Sequence, residues 1–134
     1  MFDLPAETVR GLRALKALAR GEGHLTAADL AREARVAPSH AARLMRTLKG
    51  AGLVVSSGSG WCLARPAGVI TVLEAVEALG MPRPRSEHGQ DCPHCDERDG
   101  CVLAPLCREA HEAMIELFRT HSLSDLRAEM PALP

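Results

Sequence analysis

Four of the chain's five cysteines fall within sixteen residues, Cys92–Cys107, which read C-P-H-C-D-E-R-D-G-C-V-L-A-P-L-C at intervals C-x2-C-x5-C-x5-C. His94 lies inside this group and His111 one helical turn beyond it. Thiolates are soft ligands. Four so close in the chain can converge on one metal centre while a segment rich in Pro, Gly and Asp wraps around it. Zinc would take four Cys, or three Cys with His94, in a tetrahedral structural site. An iron–sulfur cluster would take the same thiolates; the spacing is not the C-x2-C-x2-C run of small ferredoxins and does not separate the two. Thiol–disulfide catalysis by Cys92-Pro93-His94-Cys95 is disfavoured. That motif works at a helix N-terminus in a βαβ setting, whereas Asp91, Asp96 and Glu97 surround this pair and oppose thiolate formation. Cys62, beside Trp61 and remote from the group, reads as a small buried hydrophobe.

Composition limits the elements that must position this group. A chain of 134 residues holds one domain, or a small domain with an oligomerisation arm. Apolar residues make up 46%, yet with two Phe, one Trp and no Tyr the core must be built from Leu, Ala, Val and Met, which suits helices and a dimer. No stretch approaches the ~18 apolar residues of a membrane span, and the N-terminus has no signal-peptide pattern. The expected location is the cytoplasm, without a membrane partner, where clustered thiols serve metal or redox chemistry. Net charge is −1, unevenly distributed: residues 1–66 hold ten Lys and Arg against five Asp and Glu, and residues 67–134 hold six against twelve. A basic front half suits the phosphates of double-stranded DNA. No convincing acid–base pair stands out, so the chain is not expected to be an enzyme.

Hydrophobic spacing gives a helix over about 7–20 (Val9, Leu12, Leu15, Leu18), a short one from Thr26 to about Ala34, and a third from Pro38 to Lys49 with Ala41, Leu44, Met45 and Leu48 inward. Thr26 with Asp29 three residues on is a capping signal, and Pro38 suits a first helical position. Two short strands, Leu53–Ser56 and Trp61–Ala64, flank Ser57-Gly58-Ser59-Gly60. A fourth helix is expected over Val69–Ala78 with Val69, Val72, Leu73 and Val76 inward. A loop follows over about 80–102, then a long helix over Leu103–His121 striped by Leu106, Ala110, Met114 and Leu117, and a short one over Leu123–Glu129. The fold class expected is mostly α with a small β-hairpin. Residues 1–66 would form a winged helix-turn-helix DNA-binding domain, and 67–134 a helix, the cysteine loop and dimerisation helices.

In a helix-turn-helix the N-terminal residues of the second helix enter the major groove. The DNA-binding candidates are therefore Ser39, His40, Arg43 and Arg46, with Lys49 on phosphate; Arg43 can offer guanine a bidentate fork. Arg13 and Lys16 are further phosphate candidates. A protein-binding winged helix is the alternative reading of the same pattern.

L-K-G-A-G-L-V over residues 48–54, A-R-P-A-G-V-I-T-V-L-E-A-V-E-A-L over 64–79, C-x5-C-V-L-A-P-L-C-R over 95–108 and S-L-S-D-L over 122–126 resemble the Rrf2 family of bacterial transcription regulators. The resemblance implies a homodimeric winged-helix regulator of promoter DNA, here expected to be a repressor. It implies a [2Fe–2S] or [4Fe–4S] cluster that senses nitric oxide, redox state or iron and cluster supply, with zinc or no metal as the alternative. The family's middle and last ligands fall on Cys101 and Cys107, and its first on Cys95 or Cys92. A fourth ligand in some members is an acidic residue at the start of the partner subunit's first helix, a place held here by Glu7. Two arrangements therefore stand: Cys92, Cys95, Cys101 and Cys107 within one subunit, or three cysteines with Glu7 reaching across the dimer. The wing, S-S-G-S-G-W, is shorter than the family's and carries no cation, so the third helix is expected to do most of the reading. His111 follows Cys107 by four residues rather than the family's three, and no ligand role is carried to it.

Overall fold

Leu15, Leu30, Met45 and Leu48, contributed by the first three helices, have no exposed surface and form the centre of the core. The computed structural model describes residues 2–21, 23–84 and 102–127. In chain order these give β1 (Phe2–Asp3), α1 (Ala6–Arg20), α2 (Ala27–Ala34), α3 (Pro38–Gly50), β2 (Val54–Ser57), β3 (Gly60–Leu63), α4 (Val72–Leu79), β4 (Arg83–Pro84), α5 (Ala104–Thr120) and α6 (Leu123–Arg127). Burying each such leucine stabilises the fold by roughly 1.5–3 kcal/mol.

Local chemistry sets the boundaries. Thr26 and Asp29 close a capping box at the start of α2: the Asp29 N–H donates to Thr26 Oγ1 at 3.2 Å and the Thr26 N–H donates to Asp29 Oδ2 at 3.1 Å. Helix α2 ends on Arg35, whose backbone is left-handed at φ 60° and ψ 48° and whose N–H turns back to Ala31 and Arg32 carbonyls. Pro38 occupies the first turn of α3, and Ala41, Leu44, Met45 and Leu48 are buried as expected. Strands β2 and β3 pair antiparallel from Val54↔Leu63 to Ser57↔Gly60. Gly58, at φ +56°, supplies the positive φ that a two-residue hairpin turn needs. Leu25 and Trp61 exchange backbone hydrogen bonds of 3.0 and 2.8 Å, which fasten the hairpin beside the α1–α2 connection. Helix, helix-turn-helix and hairpin in this order make a winged helix.

Three expectations need correction. Helix α4 begins at Val72 rather than Val69, because Thr71 and Glu74 form a second capping box and residues before it make a turn, with Val69 N–H on Pro66 O at 2.9 Å. Val69 is accordingly 57% exposed instead of inward. The stretch from residue 80 is not loop from its start. Arg83 and Pro84 pair with Asp3 and Phe2, clipping the N-terminus to the chain just ahead of the cysteine group. Residues 85–101 and 128–134, which include most of the loop expected over about 80–102 and the end of the last helix, lie outside the described residues.

The C-terminal elements return to the same core. Leu123 of α6 is fully buried, its N–H on Ile70 O at 3.0 Å, and Val72 N–H donates to His121 O at 2.8 Å. Thr8, also fully buried, donates from Oγ1 to Gly80 O at 2.7 Å and so joins the start of α1 to the end of α4. Helix α5 differs: it buries no residue within the protomer, and Leu106 and Leu117 are 60% and 57% exposed. No helix among the described residues is long and apolar enough to cross a membrane.

Candidate nucleic-acid interface and metal centre

Helix α3 contains no Asp or Glu, and its outward residues are Ser39, Arg43, Arg46 and Lys49, all exposed. Arg10, Arg20, Arg32, Arg65 and Arg119 each meet a carboxylate, whereas Arg43 and Arg46 take part in no ion pair among the described residues. Their guanidinium groups are thus free to meet phosphate or guanine. Lys49 Nζ donates to Ser56 Oγ at 3.3 Å, so the last turn of α3 is tied to the first strand of the hairpin. Arg13 on α1 is exposed, Lys16 half-buried, and Arg35 exposed at the turn.

His40, expected beside these residues as a reader of DNA, is instead turned toward α1. Its Nε2 lies 2.8 and 2.9 Å from the two carboxylate oxygens of Glu7, and its side chain is only 21% exposed. Arg10, one turn along α1, donates to the same Glu7 at 3.0 Å. The hydrogen bond from His40, with help from Arg10, holds the Glu7 carboxyl below its usual range against a smaller opposing effect of burial. The structure therefore joins one residue expected at the metal to one expected at DNA. Sequence reading has no signal for that pair, since side chains 33 positions apart on different helices share no period.

Of the metal candidates, Cys107 lies in the second turn of α5, half-buried and in no disulfide, with its N–H on Leu103 O at 2.8 Å. Cys92, Cys95 and Cys101 lie outside the described residues. Among the described residues no three His, Cys, Asp or Glu side chains gather as a metal site. Glu7 is half-exposed and its oxygens are engaged within its own chain, so ligation by Glu7 would require giving up His40. Cys62 on β3 is half-buried, less enclosed than a core filler.

The fold is that of several solved regulators of low sequence identity. CymR of B. subtilis, its global cysteine regulator, superposes with a TM-score of 0.73 at 22% identity, covering 98% of this chain and 100% of that one. CymR of Staphylococcus aureus gives 0.75 at 20% identity, with 96% and 100% covered. IscR of T. potens gives 0.68 at 20%, with 92% and 85% covered. No curated protein sequence matches the chain. The family profile of Rrf2, iron-dependent transcriptional regulators, matches residues 4–129. Spanning nearly the whole chain, that match and the winged-helix architecture place this protein in the Rrf2 family of transcription regulators.

Proposed function

We propose that this regulator binds promoter DNA as a cytoplasmic homodimer, acting as a repressor, and that an iron–sulfur cluster held by its cysteine group sets its affinity. Residues 1–66 read the DNA through Ser39, Arg43 and Arg46. Residues 67–134 carry the cluster and the dimer contact. The observation that supports this best is the position of Cys107, on the helix whose leucines at 106 and 117 stand exposed. A residue that would be held by the cluster is thus built into a helix that leaves two leucines of its apolar stripe exposed in the protomer, and two such stripes packed about a twofold axis would set the spacing of the reading helices. The donor set fits the group: Cys107 is in no disulfide, and Cys101, Cys95 and Cys92 precede it within sixteen residues. When bound, the cluster would supply a centre that nitric oxide, oxidants or iron shortage can alter. This chain's own part is to couple that centre to α5, and a tenfold change in DNA affinity needs only ~1.4 kcal/mol of coupling.

Anaerobic purification followed by iron, sulfide and zinc analysis tests the reading. Brown protein containing iron and acid-labile sulfide, both lost in Cys101→Ala/Cys107→Ala, is expected. Colourless protein with stoichiometric zinc would replace the cluster by a structural metal. Equal promoter affinity with and without the cluster would remove the sensing role.

A further inference from the structure

The contact between Glu7 and His40 links the first turn of α1 to the first turn of α3, and its chemistry is exclusive. A carboxylate can only accept, so Nε2 must carry the proton it shares with Glu7, and that N–H is not available to a base at the same time. His40 stands between Ser39 and Arg43, the exposed residues at the start of the reading helix, yet its own tip is drawn back on α1 and mostly covered. The hold is of a kind that exchanges readily: Glu7 is 42% exposed and Arg10 competes for the same oxygen, Oε1.

We propose that His40 is a conditional reader of DNA sequence and that Glu7 is the positioning residue that decides whether it reads. With Glu7 in place the imidazole is withheld, and Ser39, Arg43 and Arg46 define the site. With the carboxylate drawn away, the imidazole swings to the outer side of α3 and adds discrimination at one further base pair. This rests on the reading of α3 as the helix that contacts DNA, and it does not require a cluster.

The test uses the full chain in reduced form, both as purified anaerobically and metal-free, as wild type, Glu7→Ala, Glu7→Gln, His40→Ala and Glu7→Ala/His40→Ala. Each selects from a randomised 30-base-pair duplex pool, and fluorescence anisotropy then measures affinity for the selected duplexes. Wild type and His40→Ala are expected to select the same consensus and to bind it within twofold. Glu7→Ala should acquire one additional defined position, at which base replacement weakens binding roughly tenfold, as for a good base contact. The double variant should lose that position. Glu7→Gln, which keeps an oxygen to accept from Nε2, should select as wild type does. A Glu7→Ala consensus identical to wild type would overturn the proposal, as would an added position that survives removal of His40. Weaker selection by His40→Ala in the presence of Glu7 would also overturn it, because His40 would then read DNA while held. Enrichment of nothing by any of the five in either form would sink the DNA-reading role of α3 itself.

Discussion

Arg35 offers a single substitution whose effects on stability and on DNA point in opposite directions. Its backbone sits at φ 60° and ψ 48°, where a Cβ crowds the following carbonyl oxygen. Relief of that crowding in Arg35→Gly is worth about 1–2 kcal/mol, while the extra freedom of glycine in the unfolded chain takes back about 0.5–1 kcal/mol. The net expectation is a gain of about 0.5–1 kcal/mol, or roughly 2–5 °C in melting temperature for a domain of this size. Arg35→Ala is the control, since it removes the guanidinium but keeps a Cβ in the same conformation. Both variants, compared with wild type by thermal denaturation at one fixed protein concentration, separate backbone from charge. The exposed guanidinium lies in the turn that leads into the reading helix, so both should bind DNA less tightly. Taking one phosphate partner away from each protomer removes two from the dimer and should flatten the log–log salt dependence by about 1.8. Arg35→Gly melting no higher than Arg35→Ala would refute the strain argument, and an unchanged salt dependence would refute the role on phosphate.

Other perturbations follow from the same geometry. Glu74 is held below its ordinary 4.5 by the Thr71 N–H, then by Arg65, so its stabilisation is full above that value and is lost as pH falls through the folded one. Glu74→Ala should therefore cost about 0.5–1 kcal/mol in urea denaturation at pH 7, with the difference from wild type shrinking between pH 5 and 3; a gap that widens in acid would be wrong. A Cβ built on Gly60 would meet Leu25 O at 2.9 Å and His24 Cβ at 3.0 Å, so Gly60→Ala should part Leu25 from Trp61 and cost about 1–3 kcal/mol, seen as faster amide exchange in the hairpin. Leu106→Glu/Leu117→Glu changes residues that are mostly exposed in the protomer, so the fold should survive while light scattering reports a monomer; a persistent dimer would move the interface elsewhere.

What the sequence made legible is the repeating part of the fold. Ala41, Leu44, Met45 and Leu48 recur at the helical period, and Thr26 with Asp29 is a local pair whose chemistry works wherever it occurs. The stripe on α5 is equally plain, but its period carries no information about what it packs against, and within the protomer Leu106 and Leu117 of that stripe stay exposed. Val69 is misplaced by apolar spacing alone, which extends α4 backward through a turn, while the true start is signalled by Thr71 and Glu74. The pairing of Phe2–Asp3 with Arg83–Pro84 is two residues long, too short to alternate, and contains a proline. The contact of Glu7 with His40 depends on how two helices cross, which no stretch of sequence states by itself.

That small N-terminal clip has a mechanical consequence. Along the sequence Cys92 follows Pro84 by eight residues and Glu7 follows Asp3 by four, so the two stretches of chain that lead to them are paired at one place. Two further ties reinforce the pairing: Pro82, just before the clip, is fully buried, and Thr8, next to Glu7, is bonded to Gly80 O. The base of the first helix, with the carboxylate on which the histidine of α3 is hitched, is thereby fastened to the stretch of chain that leads into the thiols.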